Sequence, residues 1–397
     1  MTTSAIPVIK YRIESIDILR GLIMLIMALD HTRDFFIHSS AGSPTNMATT
    51  TPIYFFTRWI THFCAPNFVF LSGISAYLAG TRRSKNEFTS FLIKRGLWLI
   101  VFEVVFLSFA LTLNPLYNMI VLQVIWAIGF SMILLALLVR APLAVIGTIG
   151  AIIFFGHDIL DLIPLPKTGA GNVLMTLFFT AFGSAIPLGR SHVILDLYAV
   201  IPWTGVMLLG YVFGSIYKPS FEPQKRKRIL LLTGISLILL FFILRYSNLY
   251  GDPAPWSVQK TQAVSVLSFL NTSKYPPSLL YLCMTLGPAL VALSLIEGVK
   301  NKFTNLLIVY GNVPFFYYIL HIYLIRILDI IVFFVMGYKT SQISTPGQPF
   351  LFQPPTFGFN LAGVYMMWLL VIIILYLPCR WYSKYKKTHS QWWLSYL

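Results

Sequence analysis

Residues Arg12–His38, RIESIDILRGLIMLIMALDHTRDFFIH, hold the apolar run of a first membrane helix, yet its uninterrupted core, Gly21–Leu29, is only nine residues long. At about 1.5 Å of rise per residue, such a core covers roughly half of a ~30 Å hydrocarbon layer. The charges at both ends therefore sit at least partly inside the membrane, where a charged side chain is costly and faces a protein-lined or watery space. At about 100° per residue, Asp17, Arg20, Met24, Met27, His31, Asp34 and His38 share one stripe, roughly 100° wide. Two acids, an arginine and two histidines on one face do not meet lipid. That face is expected to look into a site.

The rest of the chain fits a membrane frame. It is 57% hydrophobic and only 11% charged, against about 25% charged residues in a soluble domain. Apolar spans are expected near 15–38, 53–81, 89–112, 116–139, 141–163, 197–217, 229–246, 276–297, 304–335 and 361–379. The fold class is thus all-α, a polytopic integral membrane protein of about ten transmembrane helices, read as one domain over 1–397. Segment 173–189 is apolar too; as an eleventh span it would reverse the loops that follow, so it is expected to be re-entrant or interfacial. The start of the chain shows no cleavable signal pattern, which makes the first helix the expected anchor.

The formal charge of +16 does not point to nucleic acid. With the N-terminus inside, 19 of the 29 Lys and Arg fall on the inner side, among them Arg82, Arg83, Arg140, the Lys225–Arg228 cluster and the tail lysines. This is positive-inside topology. Both termini are then cytoplasmic, residues 380–397 form a short basic and aromatic tail on the inner leaflet, and the partners are membrane lipids with no nucleic acid. Oligomerisation is compatible with the sequence. Cys64, Cys283 and Cys379 have neither metal-ligand spacing nor a disulfide pattern and read as small buried apolar residues.

Three constellations can carry chemistry. On the first helix, Arg20 and His31 lie eleven residues apart on one face, about 16 Å along the axis. That spacing suits a long ligand: an arginine fork, beside Asp17, at an anionic group near the inner side, and a histidine capable of proton transfer in the outer half. Asp34 is placed to orient His31, and His38 continues the stripe. On the second helix Arg58 and His62 are i,i+4 neighbours close to Pro66, which frees a backbone carbonyl within the membrane. On the ninth, VPFFYYILH sets His321 among tyrosines, with Arg326 and Asp329 as an i,i+3 pair. Arg58, His62 and His321 are the candidates for substrate binding. Glu103 is a further intramembrane acid, for which the sequence assigns no partner, His62 and His321 being two candidates. His31, Asp34 and His38 lack the spacing of a strong metal signature, and no metal is expected.

Several stretches resemble a known family. SIDILRG and LDH in the first helix, then CAPNFVFLSG, VIWAIG, IPWTGVMLLGY, YPPSLLYLCMTLGP and VPFFYYILH are similar to bacterial membrane proteins related to heparan-α-glucosaminide N-acetyltransferase. Arg20 followed after ten residues by His31 also resembles the arginine–histidine motif of the membrane acyltransferase type-three family. The resemblance implies a transmembrane acyltransferase in the bacterial cytoplasmic membrane. It would move an acyl group, acetyl first, from cytosolic acyl-CoA to an extracytoplasmic sugar or other hydroxyl- or amine-bearing acceptor. By the same resemblance Arg20 holds CoA phosphates, and His31 acts as base or acyl carrier. The heparan enzyme's active histidine follows its first helix, which keeps His38 beside His31 as a candidate. A different class also fits the residues: a proton-coupled transporter relaying protons through Asp17, His31, Asp34 and Glu103.

Overall fold

Helix α1, Glu14–Phe36, is 23 residues long, about 34 Å, enough to cross a bilayer despite its charges. The computed structural model describes residues 13–163, 166, 168–180, 184–345, 350–389 and 391–395. Lys10, Arg12, Lys167, residues 181–183 of the 173–189 segment, and residues 390, 396 and 397 of the tail lie outside the described residues.

The chain crosses back and forth between a side rich in Lys and Arg, the basic side, and an opposite side. From the basic side α1 leads to α2 (Pro52–Thr61) and α3 (Cys64–Gly80), which return. Next come α4 (Lys85–Phe102) and α5 (Ser108–Thr112), joined by a π-helical turn over Glu103–Leu107. Strand β1 (Met119–Leu122) enters α6 (Val124–Leu138), and α7 (Leu143–Gly156) runs back. Helix α8 (Gly169–Met175) and strands β2 (Ser184–Leu188) and β3 (His192–Asp196) precede α9 (Val200–Phe213). The remainder is α10 (Pro223–Ser247), a loop carrying α11 (Gln262–Leu270), α12 (Leu279–Ile296), α13 (Lys302–Gly311), α14 (Pro314–Val335) and α15 (Leu361–Thr388). Among the described residues, eight helical segments are long and apolar enough to cross a membrane. Helix α1, which is more charged, and α6, only 15 residues long, correspond to the other two expected spans. The protein is an all-α integral membrane protein.

Differences from the expected spans have local causes. Span 116–139 is a strand followed by a short helix, because β1 pairs in parallel with β3, Met119 opposite Val193 through Leu122 opposite Asp196. Strand β2 adds antiparallel to the far edge of β3, giving the order β1-β3-β2. Segment 173–189 accordingly holds the end of α8, a π turn at Thr176–Thr180 and strand β2, with no continuous helix. Span 304–335 is broken between α13 and α14 at Asn312–Val313, where Pro314 starts the second helix and its missing N–H costs nothing. Pro66 likewise lies in the first turn of α3, and the break falls before it, at His62–Phe63.

Helix α1 is the centre of the bundle, packed by α3, α13, α14 and α15. Small residues allow the closest of these approaches. A Cβ at Gly21 would run into the Leu307 carbonyl of α13, and one at Gly311 into the Asp17 carbonyl. In the same way Gly73 and Gly210 bring α3 and α9 together. Lipid tails offer no hydrophobic drive for helices to associate, so backbone proximity and dispersion must supply it. The Trp368 indole of α15 adds a hydrogen bond to the Leu25 carbonyl at 2.8 Å.

Two loops on the opposite side are tied down. Arg245 donates to the carbonyls of Phe269, Ala254, Ser268 and Asn271, gathering residues 254–271 around one guanidinium. Residues 350–360 are fastened over the end of α1: Phe359 N–H donates to Phe36 O at 2.6 Å and His38 N–H to Phe359 O at 2.9 Å. Gln353 Nε2 reaches both Phe35 O at 3.1 Å and Asp329 Oδ1 at 2.6 Å. Arg326 pairs with Asp329 and donates to Leu351 O.

Candidate active site

Two cavities lie along α1, each of about 100 Å³. The first is nearer the basic side. Its walls are apolar, built from Met24, Leu99, Ile128, Met132 and Phe315 among others, while Arg20 and Arg95 supply two guanidinium groups. Arg20 is held in place: Nη1 donates to Asp17 Oδ1 at 3.2 Å and to Gly311 O at 3.4 Å, and Nη2 to Ser75 Oγ at 2.9 Å. Asp17 thus acts on the cavity through Arg20 and does not line it. An apolar slot with two cationic side chains in its lining fits a ligand with an anionic head and an uncharged arm.

The second cavity is lined by Asp30, His31 and Asp34 of α1, by Gln123, and by Tyr198, Lys274, Tyr275 and Tyr318. Phe68, Val124 and Tyr318 line both cavities, so one layer of side chains separates them. Asp30 organises the polar wall. It accepts from Arg58 Nη1 at 2.8 and 2.9 Å and from Thr61 Oγ1 at 2.8 Å, and it pairs with Arg33 Nη2 at 2.8 Å. Arg33 also holds Asp34 at 2.5 Å. His31 makes no hydrogen bond among the described residues; its ring meets His321 edge-on, with centroids 5.1 Å apart. Its nitrogens are therefore uncommitted. His321 is oriented by Tyr317, whose ring stacks on it and whose carbonyl lies 3.2 Å from Nδ1, while its buried Nε2 has no partner among the described residues.

The other sequence candidates lie around this centre. Arg58 reaches Asp30 and lines neither cavity. His62 is buried at the end of α2, edge-on to Tyr281, whose hydroxyl donates to the His62 carbonyl at 2.9 Å. His38 falls beyond the end of α1, off the stripe, where its Nδ1 accepts from Ser40 N–H at 3.1 Å. Glu103 does not meet a histidine: its Oε1 accepts from the Gln123 N–H at 3.0 Å, at the start of α6, where a helix N-terminus favours a carboxylate. Among the described residues no group of three His, Cys, Asp or Glu is gathered for a metal.

Asp30, Arg33 and Lys274 were not singled out by the sequence. Asp30 sits one residue off the charged stripe, on the flank that faces α2. The signal available for it was the LDH triplet, an acid directly before the histidine. Lys274 comes from a loop and offered none. A further acid supports the Tyr198 wall: Asp196 closes β3 and accepts from the Tyr198 N–H at 3.2 Å. Burial pushes its carboxyl up to about 7.

Residues 12–247, more than half of the chain, match the model of the family described as heparan-alpha-glucosaminide N-acetyltransferase, catalytic. No curated protein matches the chain. The family match covers α1 to α10, and with them the helix that lines both cavities; Lys274, His321 and Tyr318 lie beyond it.

Proposed function

The chain belongs to the heparan-alpha-glucosaminide N-acetyltransferase catalytic family, and from that premise we propose that it transfers an acyl group, acetyl first, from acyl-CoA to a hydroxyl or amine of a sugar-like acceptor across the membrane. The observation that carries this reading is the pair of adjoining cavities on one helix, with Arg20 in the first and His31 in the second. On this reading the basic side is cytoplasmic. Arg20, held by Asp17, and Arg95 take the phosphates of the CoA head, and the uncharged arm lies along Met24, Leu99 and Ile128. The thioester then reaches the layer formed by Phe68, Val124 and Tyr318.

In the second cavity His31 takes the proton of the acceptor as its oxygen or nitrogen attacks the thioester carbonyl. The C–S bond breaks, a C–O or C–N bond forms, and the proton passes to the departing CoA sulfur. General-base help of this kind contributes about 10²–10⁴-fold. Asp30 and Asp34 supply negative charge beside the imidazolium that forms. His321 holds the imidazole ring, Arg58 holds Asp30, and His62 backs the wall behind them. An acyl-histidine on His31 is the covalent version of the same step. The transport reading is less well supported, since Asp17 and Glu103 line neither cavity and leave the relay through four acidic and imidazole groups without a shared space.

The test is thermal stabilisation of the purified protein by acetyl-CoA, with Arg20→Ala alongside. A ligand bound only by the folded state at 100 times its Kd adds about 2.7 kcal/mol. Stabilisation of the wild type that is lost in the variant is the expected result. No stabilisation by acetyl-CoA or longer acyl-CoAs would overturn the reading.

A further inference from the structure

We propose, resting on the acyl-transfer reading, that Gln123 is a further catalytic residue whose side-chain amide donates to the thioester carbonyl oxygen. Tyr318 and Glu103 are the positioning residues that aim it. A carbonyl under attack gathers negative charge on its oxygen, and one fixed hydrogen-bond donor there is worth about 10²–10³-fold in rate. His31, which takes the acceptor's proton, is not free to serve that oxygen as well. A second group is required.

Gln123 stands where such a donor is needed. It lines the second cavity together with His31. It directly precedes Val124 in the chain and bonds to Tyr318, two of the three side chains in the layer between the cavities. The Tyr318 hydroxyl donates to Gln123 Oε1 at 3.4 Å, which leaves the two hydrogens of Nε2 for another acceptor. Among the described residues Nε2 makes no hydrogen bond. The main chain is fixed separately, since Gln123 N–H donates at 3.0 Å to Oε1 of the fully buried Glu103. Backbone and amide are thus held by two elements, the π turn after α4 and helix α14.

The other donors nearby are committed or displaced from the layer. Glu103 occupies the N-terminus of α6, with the amides of Ile125 and Trp126 also turned to it. The backbone donors that a helix start offers to an anion are therefore taken. Lys274 is paired with Asp30, and the Tyr318 hydroxyl is bound to Gln123. Tyr198 and Tyr275 line only the second cavity and do not belong to the layer.

The step then runs as follows for each electron pair. The acceptor's lone pair forms the new bond to the carbonyl carbon while His31 takes the acceptor proton. The carbonyl π pair moves onto oxygen, where the Gln123 Nε2–H meets it. As that pair re-forms the carbonyl, the C–S bond breaks and the proton on His31 goes to sulfur.

The experiment is isotope-edited infrared spectroscopy of acetyl-CoA, with and without heavy carbon at the acetyl carbonyl, bound to the full chain in detergent. A donor on the oxygen weakens the C=O bond, so the stretch of bound acetyl-CoA is expected below that of free acetyl-CoA. Gln123→Met, close in size and without a donor, should lose that shift and keep thermal stabilisation by acetyl-CoA. Tyr318→Phe, which frees the amide to turn, should keep only part of it. No shift in the wild type, or the full shift in Gln123→Met, overturns the proposal; the full shift in Tyr318→Phe overturns the positioning role. Should the Met variant fail to fold, Gln123→Leu decides on the same readout. Stabilisation by acetyl-CoA without the shift sinks this inference alone; no stabilisation sinks the transfer reading and this inference with it.

Discussion

Asp30 of α1 and Arg58 of α2 meet across 28 residues of chain, one guanidinium nitrogen lying 2.8 Å from Oδ1 and 2.9 Å from Oδ2. Arg33 and Thr61 bind the same carboxylate, so a single acid neutralises and spaces the groups behind the second cavity. Removing one partner of a buried pair typically costs about 3–5 kcal/mol, because the remaining charge is stranded. Asp30→Ala should therefore lower unfolding stability by that order. Asp30→Ala combined with Arg58→Met should recover part of the loss, because the second change removes one of the stranded cations. Denaturation of the three variants in one detergent checks this; additive losses would show that the pair is not coupled.

His31→Ala should cut turnover at least ~10²-fold, the lower range of general-base catalysis, with the melting temperature nearly unchanged because the ring makes only an edge contact with His321. His38→Ala should remain active, since His38 sits beyond the helix and its side chain bonds only to Ser40. Steady-state assay of both variants checks the contrast, and the opposite pattern would move the chemistry to His38.

The α1–α13 contact should be intolerant of a single methyl group. Gly311→Ala would press a Cβ into the Asp17 carbonyl, with the Gly21 amide nitrogen 3.0 Å away. The expected cost is about 1–3 kcal/mol or more, since backbone must move. It should also weaken acetyl-CoA stabilisation, because Arg20 rests on the Gly311 carbonyl. Gly156→Ala, where a Cβ meets nothing within 4 Å, is the control and should be neutral.

Folding stability should depend on the charge of Asp196. Its carboxyl is pushed up to about 7 by burial, against about 3.9 in an unfolded chain. Between those values the folded state binds the proton that the unfolded state has released, so this acid contributes stability below about pH 4 that is lost as pH rises through 7. Asp196→Asn should flatten that slope and be the more stable form at pH 8. Melting temperatures at pH 5 and pH 8 for both proteins check the sign.

What the sequence revealed follows the strength of each physical signal. Apolar stretches are long-range averages, and among the described residues eight of them survive as helical segments long and apolar enough to cross a membrane. The interrupted apolar core of α1 gave away its buried charges. The three-stranded sheet was hidden, because strands of four or five residues carry little periodicity and the 116–139 stretch is apolar enough to pass for a helix. His38 looked like part of the stripe; it leaves the helix because its backbone pairs with Phe359, which lies more than 300 residues onward. Lys274 was invisible for a related reason. Its place in the cavity depends on a loop gathered by Arg245 and by Asp252, which accepts from Ser273 and Ser278, and no local pattern encodes that.

The layer shared by the two cavities consists of Phe68, Val124 and Tyr318. Elsewhere the hydrocarbon separating the two compartments is ~30 Å deep; along α1 the insulation between the cavities has shrunk to the width of a few side chains. On the acyl-transfer reading those three residues meet opposite demands, to yield when a thioester arrives and to hold back protons when none is present. On that reading, trimming one of them would join the donor space to the acceptor space, so a leak of protons across the bilayer would accompany any change in turnover.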